Sequence, residues 1–99
     1  MAAYLIADID VHDTDRYDAY RAQVLPTIQR HGGRFLVGGG PVKVLEGDGV
    51  VHRPVVVEFP SMAALERWYH SPEYAPLIAQ RQAAASGFVY AVAGVGGDA

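Results

Sequence analysis

Gly32-Gly33-Arg34-Phe35-Leu36-Val37-Gly38-Gly39-Gly40 is the stretch whose reading sets the architecture of this chain. Gly32 stands where a helix can end in the left-handed conformation, which glycine adopts without a Cβ clash. Arg34 to Val37 is a short apolar strand. Three glycines and Pro41 then bend the backbone, and they mark a place where another chain segment approaches closely. A strand and a helix precede this stretch; a strand, helices and a strand follow it.

Toward the N-terminus, residues 4–11 alternate with period two. Leu5, Ala7, Ile9 and Val11 take one face, and Tyr4, Ile6, Asp8 and Asp10 the other. Asp13 or Thr14 can cap the next helix, because either side-chain oxygen accepts an unpaired first-turn N–H. Tyr17, Tyr20, Val24 and Ile28 then recur at helical spacing, with Leu25 alongside, and form a core stripe. Pro26 falls inside that stripe and removes a backbone donor, which predicts a kink costing roughly 3 kcal/mol if nothing compensates.

Toward the C-terminus, Val42 to Glu46 resumes extended structure and Gly47-Asp48-Gly49 has the composition of a turn. Val55 to Phe59 is the most strand-like segment. Ser61 is a natural N-cap for a helix carrying Met62, Leu65, Trp68 and Tyr69 at helical spacing. Pro72 stops that helix, and Ser71-Pro72-Glu73 predicts a second start, with a capping hydroxyl, a proline at the first position and an acid in the first turn. Tyr74, Leu77, Ile78 and Arg81 share one face of this second piece. Phe88 to Val92 is the last strand.

The order is βαββαβ with the second helix in two pieces, an α+β, ferredoxin-like pattern with an antiparallel sheet and helices on one face. The strands are not cleanly amphipathic. Tyr4, Ile6, Val56, Phe88, Tyr90 and Val92 make the second face apolar as well, as in sheets covered on both sides. The simplest cover is a second copy of the same sheet, so the expected partner is the chain itself, in a homodimer whose two sheets enclose a cavity or a packed core. One domain is expected over 1–94, with a flexible Gly-rich tail over 95–99.

Composition removes several function classes. A net charge of -3 and the lack of a basic stripe argue against nucleic acid as a partner. The chain has no cysteine, which removes disulfides, thiolate catalysis and cysteine metal sites. No run approaches the ~20 apolar residues of a membrane span. Asp8 follows the first apolar residues too soon for a signal peptide, so a cytoplasmic location is expected. Gly38-Gly39-Gly40 lacks the lysine and following helix of a phosphate loop, and no cofactor is expected.

Glu58 leads the residues that carry chemistry. It is an acid within a valine-rich strand, where a carboxylate is costly unless paired or neutral. It is a candidate general acid or base; the alternatives are an ion pair with Arg34, Arg53 or Arg81, or a solvent-facing position. Arg81 and Arg34 can each clamp an anionic group or serve a structural pair. Tyr20, Trp68 and Tyr74, among five aromatics on the helices, are candidate pocket walls for a flat ligand as well as core. Asp8, Asp10 and His12 project from one strand face at period two, but a strand end running into solvent is polar anyway, and no metal is assigned. His31, His52 and His70 lack ligand-like spacing and read as surface residues.

In combination, several pieces resemble the family catalogued as domain of unknown function 1330. They are Tyr17-x-x-Tyr20, Pro26-Thr27-Ile28, Gly32-Gly33-Arg34-Phe35-Leu36, Val57-Glu58-Phe59-Pro60-Ser61, and Trp68-Tyr69-x-Ser71-Pro72-Glu73-Tyr74 followed by Arg81. The match runs over residues 3–93, with one departure: the family usually has an arginine where this sequence has Gly38. The resemblance implies membership of the dimeric α/β-barrel superfamily and a back-to-back sheet dimer. That superfamily includes cofactor-independent oxygenases, haem-degrading enzymes, small-ring isomerases and plain ligand-binding modules, among which fold does not choose.

Two functions therefore stand as expectations. The first is a cofactor-independent enzyme, oxygenase- or isomerase-like, acting on a small aromatic or polyketide-like metabolite between two sheets. In it Glu58 would move a proton, Arg81 or Arg34 would hold an anionic group, and Tyr20, Trp68 and Tyr74 would shape the walls. The alternative is a non-catalytic ligand-binding or stress-associated dimeric module.

Overall fold

The structure, a computed structural model, describes residues 1–96. Its elements are β1 (Ala3–Val11), α1 (Thr14–Arg30), β2 (Arg34–Gly38), β3 (Pro54–Phe59), α2 (Met62–Tyr69), α3 (Ala75–Ala84) and β4 (Ala85–Ala93). The sheet order is β2-β3-β1-β4, and every neighbouring pair is antiparallel. This is the α+β, ferredoxin-like architecture that the order of elements predicts.

Local chemistry explains the boundaries. Asp13 rather than Thr14 caps α1, its carboxylate accepting the Arg16 amide at 3.1 Å. Ser61 caps α2 through the Ala64 amide at 3.0 Å. Gly32, with φ +80°, carries the chain out of α1 in the left-handed region. α1 continues through Pro26 to Arg30, held by the buried stripe Tyr17, Tyr20, Val24, Thr27 and Ile28.

Register then sorts the two faces. Leu5 pairs with Val57 and Ala91, so Ala3, Leu5, Ala7, Ile9, Val57 and Phe59 lie under the helices, where all six are buried. Tyr4 pairs with Glu58 and Val92, and Ile6 with Val56 and Tyr90. The other face therefore carries Tyr4, Ile6, Val56, Glu58, Phe88, Tyr90 and Val92. Phe88 is 70% exposed there, and the apolar second face expected from the strand pattern is present.

Three local expectations differ. Val42 to Glu46 forms no strand. Residues 39–53 instead make an irregular arm between β2 and β3, with Val42, Val44, Leu45 and Val50 exposed; among the described residues no strand pairs with Val42 to Glu46. The helix expected from Ser71 begins at Ala75. Ser71 instead holds a turn, its hydroxyl accepting the Tyr74 amide at 3.3 Å, while Glu73 pairs with Arg30 at 2.6 Å. β4 is longer than Phe88–Val92 and follows α3 without a loop. Gly94, the last residue of the expected domain, is tied to the sheet, its amide donating to Ala2 O at 2.8 Å. Of the tail expected over 95–99, residues 97–99 lie outside the described residues.

The arm is pinned where it rejoins the sheet. Asp8 accepts the backbone amides of His52 at 2.9 Å and Arg53 at 2.8 Å, and Ile9 N donates to Arg53 O at 3.0 Å. The His52 ring lies between Asp8 Oδ2 at 3.1 Å and Asp10 Oδ2 at 3.8 Å. His52 is thus a bridging residue, while His12 bonds Ser86 at 3.1 Å. Burial raises the Asp8 carboxyl, but the His52 ring and the two amides outweigh it and hold Asp8 below the usual aspartate value. A depressed folded-state pKa gives stability that is present above the unfolded value and is lost as pH falls through the folded one. Acidification below the ordinary aspartate range should therefore release the arm. Asp8→Asn should release it at neutral pH, read as faster amide exchange at residues 52 and 53 with β1 unchanged in its centre.

Candidate functional site

A cavity of about 470 Å³ opens between α1 and the helix side of the sheet. α1 packs along α3, and residues of α1, β1, β2 and β3 line this space. Leu5, Ala7, Val24, Ile28, Val55 and Val57 supply apolar wall. Phe35 and Gly38 lie at the β2 side, where a Cβ on Gly38 would meet nothing within 4 Å.

One end of the cavity is polar. The hydroxyls of Tyr20 and Tyr74 bond each other at 3.0 Å, and both residues are buried. Trp68 stacks on Tyr74 with ring centroids 4.1 Å apart. Its indole N–H donates to Thr27 Oγ1 at 2.9 Å, and Thr27 in turn donates to Val24 O at 2.7 Å. This chain of bonds fixes the wall before any ligand arrives. Burial, and then the neighbouring Tyr74, push the Tyr20 hydroxyl well above the usual tyrosine value, so it stays neutral and both donates and accepts. Arg81 lines the same cavity and is only 8% exposed. Burial works against its charge, and the Tyr74 and Tyr20 oxygens more than offset that.

The six residues singled out from sequence do not share one site. Tyr20, Trp68, Tyr74 and Arg81 meet at the cavity. Glu58 and Arg34 lie on the opposite, open face of the sheet. There Arg34 Nε donates to Glu58 Oε1 at 2.8 Å and the Tyr4 hydroxyl to Glu58 Oε2 at 3.2 Å. The bond to Glu58 raises the Tyr4 hydroxyl above its usual value, and the carboxylate charge adds to this. The ion-pair alternative for Glu58 is thus realised with Arg34. The scheme in which Glu58 shares a pocket with Arg81 is corrected by register: Glu58 pairs with Tyr4 and lies one position from the buried Val57, so its side chain leaves on the other side.

Three cavity residues escaped the sequence reading of the site. Tyr17 reads chiefly as core among the five helix aromatics, Arg21 carries no motif, and Arg53 enters only as a possible pair for Glu58. The Arg53 guanidinium lies over the Tyr17 ring, 5.1 Å from its centroid. A signal existed in Gly39. Its φ is +81° and a Cβ there would lie 2.7 Å from Arg53 Nε, which is the close approach expected at the triple glycine. The cavity-lining residues include no Asp, Glu or His. The wall can orient, hydrogen-bond and hold charge, but it brings no carboxylate or imidazole to accept a proton.

No curated protein matches the chain by sequence. Among solved structures, a protein of unknown function from Rhodopseudomonas palustris superposes with a TM-score of 0.78 at 20% identity, covering 96% of this chain and 83% of that one. A dimeric ferredoxin-like protein of unknown function from a Jannaschia species gives 0.70 at 15% identity, over 94% and 99%. SnoaB, a cofactor-independent oxygenase from Streptomyces nogalater, gives 0.65 at 12% identity, over 96% and 94%. At these identities the likeness is one of fold. Family membership rests on sequence: the pattern described as domain of unknown function (DUF1330) matches residues 2–95, and the chain belongs to that family.

Proposed function

We propose that the protein binds and acts on a small aromatic or polyketide-like metabolite in the cavity between α1 and the sheet. One observation carries this reading: about 470 Å³ of apolar space ends in a fixed polar group, the Tyr20–Tyr74 hydroxyl pair beside Arg81. That volume lies in the ~300–1,000 Å³ range of small-molecule sites. Trp68 and Tyr17 offer ring faces, and the hydroxyl pair fixes one oxygen of the ligand. A cofactor-independent oxygenase is built on the same fold. A second reading, binding without turnover, is favoured by the cavity wall that holds no Asp, Glu or His.

Trp68 is the only tryptophan of the chain and lines the cavity, so its emission reports occupancy. Titration with 2-naphthol should quench it along a saturable curve, and a linear alcohol of similar polarity should not. No saturable quenching by any flat aromatic would sink the proposal. Glu58→Gln should leave that curve unchanged, because Glu58 faces away from the cavity. An altered ligand affinity in this variant would return Glu58 to the site.

We also infer that a second copy covers the open sheet face, where Phe88, Tyr90 and Val92 are exposed, as the dimeric Jannaschia protein of the same fold suggests. Light scattering on a sizing column should give twice the chain mass at low micromolar concentration. A stable monomer would refute it.

A further inference from the structure

The cavity that the aromatic-ligand reading rests on has a one-sided charge. Its wall includes Arg21, Arg53 and Arg81, and it includes no acidic residue. Among the described residues none of these arginines forms an ion pair, although Arg16, Arg30 and Arg34 all do. The three are also graded in depth: Arg21 is exposed, Arg53 half-buried and Arg81 buried.

A buried guanidinium beside no carboxylate is an uncommon arrangement, because arginine is almost never buried unless paired. The neighbours of Arg81 are the oxygens of Tyr74 and Tyr20, which favour its charge but bring no carboxylate to pair with it. Arg53 is similar. Its guanidinium lies over a ring, its backbone is pinned by Asp8, and its stem is held against Gly39. The arm thus keeps a cation in the cavity wall where a flexible side chain would otherwise swing into water.

We propose that the ligand of this cavity is a flat organic acid bound as its anion, a carboxylate or an ionised phenol or enol. Its charged oxygen sits against Arg81 beside the Tyr20–Tyr74 pair. Arg21 and Arg53 draw the anion in, as graded positive charge concentrates an oppositely charged ligand along its path. The ligand supplies the missing counter-charge, and Arg81 serves as a specificity residue that separates the acid from its neutral isostere.

Calorimetric titration with three probes tests this. 2-Naphthoate should bind about tenfold or more tightly than the neutral 2-naphthamide, the usual scale of a charged hydrogen bond. Octanoate, an anion without a ring, should bind more weakly than 2-naphthoate. Equal affinity for 2-naphthoate and 2-naphthamide would overturn the anion proposal and leave the aromatic reading standing. Octanoate binding as tightly as 2-naphthoate, with the amide weak, would do the reverse. 4-Nitrophenol separates the two sources of the charge. If the acid is a phenol or enol, it should bind as its coloured phenolate at a pH where the free compound is neutral. Colourless binding with a strong preference for 2-naphthoate assigns the site to carboxylates.

Arg81→Met supplies a readout that a structural arginine would not give. Replacement of an uncompensated buried charge by an apolar side chain of similar length is neutral or stabilising for the empty protein. The variant should keep or raise the melting temperature and lose the preference for 2-naphthoate. A preference that survives in Arg81→Met would overturn the assignment. Arg53→Met, at a half-buried position, should lower the preference several-fold on its own, and unchanged binding there would remove Arg53 from the path.

Discussion

Trp68→Ala should lower folding stability by about 3–5 kcal/mol, the usual range for deleting a large buried aromatic. The side chain is 1% exposed and joins α1, the start of α3 and the sheet. Its ring stacks on Tyr74 at 4.1 Å, lies 5.3 Å from Phe59 under the sheet, and bonds Thr27 of α1 through Nε1 at 2.9 Å. Alanine would join its own void to a cavity already open beside it, so little collapse can repair the loss. A loss of this size is a large share of the roughly 5–15 kcal/mol that holds an ordinary domain. Trp68→Phe should keep the packing and forfeit the indole bond, at about 1 kcal/mol. Urea unfolding followed by circular dichroism separates the two variants, and a Trp68→Ala loss below about 1 kcal/mol would show that the core does not depend on this residue.

Gly33→Ala should be the next most damaging change, at about 1–3 kcal/mol, because it overfills a packed site. A Cβ at this position would lie 2.6 Å from Ile28 Cγ2 and 2.8 Å from Phe59 Cε1. Ile28 and Phe59 are among the largest fully buried side chains, so the added methyl must displace packed groups. The reason is space alone, as Gly33 has no positive φ. Any movement of Phe59 passes to Trp68, so the emission of the single tryptophan should shift along with the unfolding midpoint. Gly40→Ala is the control. It meets nothing within 4 Å and has no positive φ, so its effect should stay within about 0.5 kcal/mol. A Gly33→Ala protein as stable as the Gly40→Ala one would refute the close approach.

The fold was readable because its signals were local and agreed with one another. The α1 stripe, the Ser61 cap, the left-handed Gly32 and the valine-rich β3 each follow from a few neighbouring residues. The second apolar face was readable too, since Tyr4, Ile6, Phe88, Tyr90 and Val92 break the alternation whatever their partners. What the sequence hid was non-local. Glu58 reads as a candidate base until the register places it opposite Tyr4, and one residue of slip would have sent it to the helix side. Val42 to Glu46 has the composition of a strand but gained no partner, and composition cannot show a missing partner. Arg53 gave no signal of its own. Its place in the cavity depends on Gly39 and Asp8, which lie 14 and 45 residues away in the chain.

The direct junction of α3 and β4 has a mechanical meaning. Ala84 ends the helix and Ala85 begins the strand, and the Ala84 carbonyl accepts both His12 N at 2.8 Å and Asp13 N at 3.0 Å. No hinge lies between Arg81 and the strand that carries Phe88 and Tyr90. An axial shift of α3 that followed an anion drawn to Arg81 would have to be absorbed by the β4 register or passed to the outer aromatic surface. The two sides of the sheet, one lined by the cavity and the other exposing Phe88 and Tyr90, are joined by a helix that passes straight into a strand. If the proposed ligand fills the cavity and a second copy covers the open face, this junction is a short covalent route between the two.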